Sequence, residues 1–155
     1  MRIFFDTEFT NLTADAKLIA IGLVDESGLN EFYAELNDTY ELSGCSDFCL
    51  REVIPHLQGA AVRRSLSEVR AELEAWLRDR GPGTILVCDS PRDITQLAAV
   101  LPAGPPANVA LQVLGWQGNL KRRIFNYDRR IHRKWGLKVH HALDDAKVNR
   151  LILMR

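Results

Sequence analysis

Cysteine is scarce and odd in number: Cys45, Cys49 and Cys88 are the only three, and no two form a C-x-x-C pair. This argues against a disulfide framework and a zinc site, so each thiol is expected to be a small buried apolar group. No apolar run approaches the roughly 20 residues that a helix needs to cross a bilayer. The chain enters a strand and two acids at once, so a cleavable signal sequence is not expected. A cytoplasmic protein without membrane contact follows. No internal repeat or low-complexity tract is visible. Net charge is also missing, with 20 Lys and Arg against 20 Asp and Glu.

That balance conceals an uneven placement. Cations are nearly absent from residues 1–50, where Arg2 and Lys17 face ten acids. Near the other end Lys121, Arg122, Arg123, Arg129, Arg130, Arg133, Lys134 and Lys138 stand with Asp128 as the sole acid. A polyanion held by cations beside a carboxylate site would use both halves. A solvated basic helix face that neutralises the acidic half of the same fold accounts for them equally.

At 155 residues and 46% hydrophobic content the chain makes one domain, 1–155, with a single core. Its first apolar run, Arg2-Ile3-Phe4-Phe5-Asp6-Thr7-Glu8-Phe9, reads as a strand. Alternation puts Asp6 and Glu8 on one face and turns Thr7 away. The two acids either cap the strand in water or hold a cation, and hard oxygen donors suit Mg²⁺ or Mn²⁺.

Lys17 to Val24 is apolar on both faces and reads as an interior strand. After a turn at Glu26-Ser27-Gly28, Phe32, Ala34 and Leu36 alternate with more polar residues, completing an antiparallel meander of three strands. A short helix is expected after Ser46, broken at Pro55. Ser65-Leu66-Ser67-Glu68 is a capping box opening a helix whose Val69, Leu73, Trp76 and Leu77 share a face. Ile85 to Cys88 forms a short buried strand. A helix from Ser90-Pro91 then presents Ile94, Leu97, Ala98 and Leu101. Val109 to Leu114 supplies a fifth strand. Leu120, Ile124, Tyr127, Ile131 and Trp135 mark one face of a basic helix stopped by Gly136, and a last helix begins near Ala142. The order predicts an α/β fold, a mixed five-stranded sheet covered by helices.

The second chemical motif is His140-His141-Ala142-Leu143-Asp144-Asp145-Ala146. His140 in the entering loop and Asp145 in the helix can address one site, as general base and metal ligand. Alternatively the acids favour the helix N-terminus and both histidines are loop residues. Between the motifs, Asp89 and Asp93 both follow the strand ending at Cys88. Ser90-x-x-Asp93 can also be a capping box.

Asp6-Thr7-Glu8 on the first strand, an acid after a central strand, and His140-x-Ala-x-x-Asp145 resemble the three motifs of the DEDDh 3′-to-5′ exonuclease superfamily, in order across nearly the whole chain. The Met-Arg-x-Phe-x-Asp-Thr-Glu-Phe opening and the Gly-Leu-x-x-His-His-Ala-Leu-Asp-Asp-Ala ending are similar to small bacterial exoribonucleases of the ribonuclease AS type. The resemblance implies a ribonuclease H-like fold, two divalent metals, and release of nucleoside 5′-monophosphates from RNA 3′ ends by a homodimer. Its frame assigns Asp93 the middle acidic slot. Two departures weigh against that assignment, since Asp89 stands where Asn is common and Arg92 where an aromatic is common; Asp89 is expected at the rim. The implied machinery is Asp6, Glu8, Asp93 and Asp145 as catalytic metal ligands and His140 as the base. Phe9 and Trp116 are candidates to stack on bases, with Thr7 and Asp89 also near substrate. DNA is an alternative substrate. A second class remains open, because Asp6-Thr7-Glu8-Phe9-Thr10 also resembles the D-x-D-x-T loop of haloacid dehalogenase-like phosphatases, where Asp6 would be the nucleophile. Those enzymes usually carry Asp at the second acid and lack the opening meander.

Overall fold

The computed structural model describes residues 1–114 and 128–154. Strands β1 (Arg2–Phe9), β2 (Leu18–Asp25) and β3 (Glu31–Leu36) form the expected antiparallel meander. β5 (Thr84–Cys88) pairs parallel with β1, and β6 (Val109–Val113) parallel with β5. The sheet has six strands rather than five, in the order β4-β3-β2-β1-β5-β6, because the two-residue β4 (Arg63–Arg64) adds parallel to β3. β2 is buried along its whole length, as a double-sided apolar run requires.

Helices cover both faces. On one, α1 (Leu66–Arg78) buries Val69, Leu73 and Leu77 against Ile3, Phe5 and Leu23. Its start is fixed by the expected capping box of Ser65 and Glu68. Beside it, α2 (Pro91–Val100) buries Asp93, Gln96, Leu97 and Val100. This corrects the face expected for α2: Ala98 is exposed, and an acid lies on the buried side.

The other face carries α4 (Ala142–Leu153), which packs Ala146 on Phe4, Val24 and Val87. Ile131, in the helix over 128–135 (α3), joins Val148 and Ile152 of α4. Trp135, expected on the apolar face of α3, is instead exposed. The remaining expected cations and apolar residues of that helix before 128, and Trp116, lie outside the described residues. The segment after Ser46 is helical as expected, but as a π turn, Cys49–Val53, running into a 3₁₀ turn, Ile54–His56, with Pro55 at its start. All three cysteines are free, with Cys49 and Cys88 buried. Among the described residues no helix is long and apolar enough to cross a membrane.

Candidate metal centre

Alternation along β1 does the first part of the assembly. Phe4, Asp6 and Glu8 face α4, while Ile3, Phe5 and Thr7 face α1 and α2. A bulge between Glu8 and Phe9 ends the regular ladder there. Asp6 lies opposite Gly22 of β2. A Cβ on Gly22 would sit 2.2 Å from the backbone nitrogen of Leu143 and 2.5 Å from the carbonyl carbon of Ala142. Only a hydrogen at this position lets the first turn of α4 settle on the sheet beside Asp6, and that contact delivers Asp145 to the strand acids.

Two groups of donors result. The carboxylates of Asp6, Asp89 and Asp93 have oxygens within 4.8 Å of one another, and so do donor atoms of Glu8, His140 and Asp145. A cleft of about 610 Å³ opens over both groups, and all six residues line it. Asp93 arrives from the opposite face of the sheet. Its Oδ1 accepts the backbone N–H of Thr7 at 3.1 Å and the Thr7 hydroxyl at 2.6 Å, while its Oδ2 is buried without a partner. Asp89 is drawn in as well, with the buried amide of Asn149 from α4 hydrogen-bonded to it. The rim position expected for Asp89 is therefore corrected: it stands with Asp6 and Asp93. The Thr7 hydroxyl is engaged by Asp93, although Thr7 also lines the cleft.

Electrostatics mark this crowding as unstable without a counter-charge. Burial, then repulsion from Asp93, Asp145, Glu8 and Asp89, raises the Asp6 carboxyl well above the usual range. Burial, then repulsion from Asp145, does the same to Glu8. Burial pushes Asp93 up to about 7, even against the Thr7 bonds that favour its charged form, and Asp89 up to about 6. Oxygen-rich donors, an orphaned buried oxygen and mutually repelling acids fit a hard divalent cation. The residues present could therefore hold a metal ion.

The two adjacent histidines separate in role. His141 caps α4, accepting the N–H of Asp144. It stacks on Tyr33 with centroids 4.6 Å apart and lies 3.1 Å from Gln58 Nε2. Asp144 is equally occupied, its Oδ2 accepting the backbone N–H of Lys138. His140 holds a left-handed backbone, φ 59°, uncommon for a residue with a Cβ. That conformation turns its ring into the cleft, edge-on to Phe48 at 4.9 Å.

Part of the cleft lining is apolar. Phe9, expected there, is joined by Leu12, Phe48 and Val53. Leu12 and Phe48 are 71% and 50% exposed, a large apolar surface left open beside a charged site. The π turn sets Phe48 and Val53 at its two ends, and no periodic pattern in the sequence announces such a turn.

His132 was missed altogether. It is buried in α3, with Nε2 2.6 Å from Asp145 Oδ1 and Nδ1 3.0 Å from the carbonyl oxygen of Asp128. Burial disfavours its charged form, but the bonds to Asp128 and Asp145 prevail and lift it to about 10. Four-residue spacing from Asp128 was the only available signal. Among the described members of the basic cluster, Arg129, Arg130, Arg133, Lys134 and Lys138 are exposed. No family model matches the chain, and no curated protein matches it significantly.

Proposed function

We propose that the chain is a divalent-metal-dependent 3′-to-5′ exonuclease with a ribonuclease H-like fold, acting on RNA 3′ ends and releasing nucleoside 5′-monophosphates. The observation that carries this reading is the convergence of Asp6, Glu8, Asp89, Asp93 and Asp145 with His140 on one cleft, where Asp93 Oδ2 has no partner. The resemblance of Asp6-Thr7-Glu8 and His140-x-Ala-x-x-Asp145 to the DEDDh motifs supplies the reaction class.

The five carboxylates would hold two ions, Mg²⁺ or Mn²⁺. Bound there, such ions would make an attacking water more acidic and would offset the negative charge of the phosphodiester as it is cleaved. His140 takes the proton of that water, and its place on the cleft wall, clear of the buried hydrogen bonds that hold His141, leaves it free to do so. Phe9, Phe48 and Leu12 offer the terminal nucleoside an apolar surface, which tolerates any base. Exposed Arg129, Arg130 and Arg133 offer cations to the phosphate backbone. A homodimer would add a second basic helix near each cleft.

A phosphatase using Asp6 as nucleophile is less well supported, since β1 is flanked by the antiparallel β2. Product identity separates the two. Incubation with RNA and Mn²⁺ should yield nucleoside 5′-monophosphates, whereas inorganic phosphate released from a monoester, with the polymer intact, would establish the phosphatase.

A further inference from the structure

We propose that His132 is a positioning residue for the metal centre, holding Asp145 in its ligating orientation through a hydrogen bond from behind the cleft. The inference rests on the reading of the cleft as a divalent-cation site. Its Nε2 lies 2.6 Å from Asp145 Oδ1, while Nδ1 is anchored on Asp128, 3.0 Å from the carbonyl oxygen and 3.2 Å from Oδ1. Both ring nitrogens therefore face acceptors, and the ring donates at both.

Asp145 needs such a hold. It enters from the first turn of α4 and meets the carboxylates of Asp6 and Glu8, which repel it. Nothing on α4 itself restrains it, because the neighbouring Asp144 is bonded to Lys138 and His141 caps the helix. A donor from α3 resists that repulsion from the opposite side and takes up Oδ1, which leaves the second oxygen to the cleft that Asp145 lines. The ring is fixed in turn, since Ile131 beside it packs on Val148 and Ile152. Asp128, His132 and Asp145 also lie close enough to bind an ion of their own. Their hydrogen bonds already satisfy the ring, however, and the orphaned carboxylate oxygen belongs to Asp93. Partners that orient a metal ligand in this way set metal affinity although they never touch the ion.

The test compares Mn²⁺ binding by calorimetry, without nucleic acid, in the wild-type chain, His132→Gln and His132→Asn. Glutamine can place a donor where Nε2 stands, whereas asparagine reaches only toward Asp128. His132→Asn should bind Mn²⁺ about 10- to 100-fold more weakly and His132→Gln within about 3-fold of wild type. With RNA, the loss in His132→Asn should fall on kcat and on the Mn²⁺ requirement, with KM for RNA unchanged. Wild-type binding in His132→Asn, or equal losses in both variants, overturns the proposal. If His132→Asn does not fold, the ring ¹⁵N resonances of wild-type His132 decide: they should shift when Mg²⁺ is added, and an unmoved signal overturns it. A wild-type chain that binds no Mn²⁺ overturns the cation-site reading itself.

Discussion

Thr7 holds Asp93 by two bonds to a single oxygen, the backbone N–H at 3.1 Å and the hydroxyl at 2.6 Å, across the plane of the sheet. A residue that turns away from the Asp6 face thus fixes an acid whose carboxylate closes on that of Asp6. Thr7→Val keeps the backbone donor and the shape but removes the hydroxyl, so stability should fall by about 1–3 kcal/mol. Urea unfolding checks this, and Mn²⁺-dependent turnover should fall with it. An unchanged midpoint would mean that the hydroxyl bond contributes nothing.

Gly22 allows α4 to reach the sheet. Gly22→Ala would drive a Cβ into the backbone of Ala142 and Leu143, which cannot swing aside as a side chain would. The expected cost is about 3 kcal/mol or more, with turnover lost because Asp145 is displaced. Gly44→Ala, where nothing lies within 4 Å, is the control and should be nearly silent in thermal unfolding.

The neighbouring histidines should respond in opposite ways. His141→Ala removes the cap of α4 and the Tyr33 and Gln58 contacts, costing about 1–2 kcal/mol. His140→Gly relieves a left-handed backbone and should raise stability by about 1 kcal/mol while turnover disappears. Thermal unfolding and nucleotide release, measured on the same samples, separate the structural His141 from the proposed base, His140.

The acids also set a pH dependence. Asp6, Glu8, Asp89 and Asp93 all titrate higher in the folded chain than their ordinary values, Asp93 at about 7 and Asp89 at about 6. The folded state keeps protons that the unfolded chain has released, so without metal, stability is greatest below about pH 4 and is lost as pH rises toward 7. His132 acts in the same direction at higher pH: its contribution is present below its ordinary value near 6.5 and fades as pH approaches 10. Asp25, lowered to about 2, opposes only in acid, since its contribution is complete above its ordinary value. In EDTA, Tm should therefore fall from pH 5 to pH 8, and Mn²⁺ should restore it at the upper end.

The legible parts of this protein are those where periodicity and chemistry coincide. β1 could be read because apolar alternation carries Asp6 and Glu8 to its end, and α4 because an acid pair follows two histidines at a helix start. β2 could be read from its unbroken apolar run. The π turn over Cys49–Val53 obeys neither a strand nor an α-helix period, so the wall it builds with Phe48 and Val53 was invisible. Glu35 shows the same limit. It stands as an exposed polar position in the alternation of β3, yet it is fully buried, because its carboxylate accepts the backbone N–H of Gly59 and the hydroxyl of Tyr33. His132 was lost in a run of cations that reads as a solvated face. The frame of the resemblance assigns the middle slot to Asp93 alone, whereas three-dimensional closure places both Asp89 and Asp93 beside Asp6.

Cutting of nucleic acid from its 3′ end is read out by digesting 5′-labelled RNA and DNA oligonucleotides with Mg²⁺ or Mn²⁺ and resolving the products by length. A ladder of stepwise shortening from the 3′ end is expected, faster on RNA, dependent on the added cation and absent in Asp6→Asn. An intact polymer at every metal concentration, or equal shortening by Asp6→Asn, would contradict it.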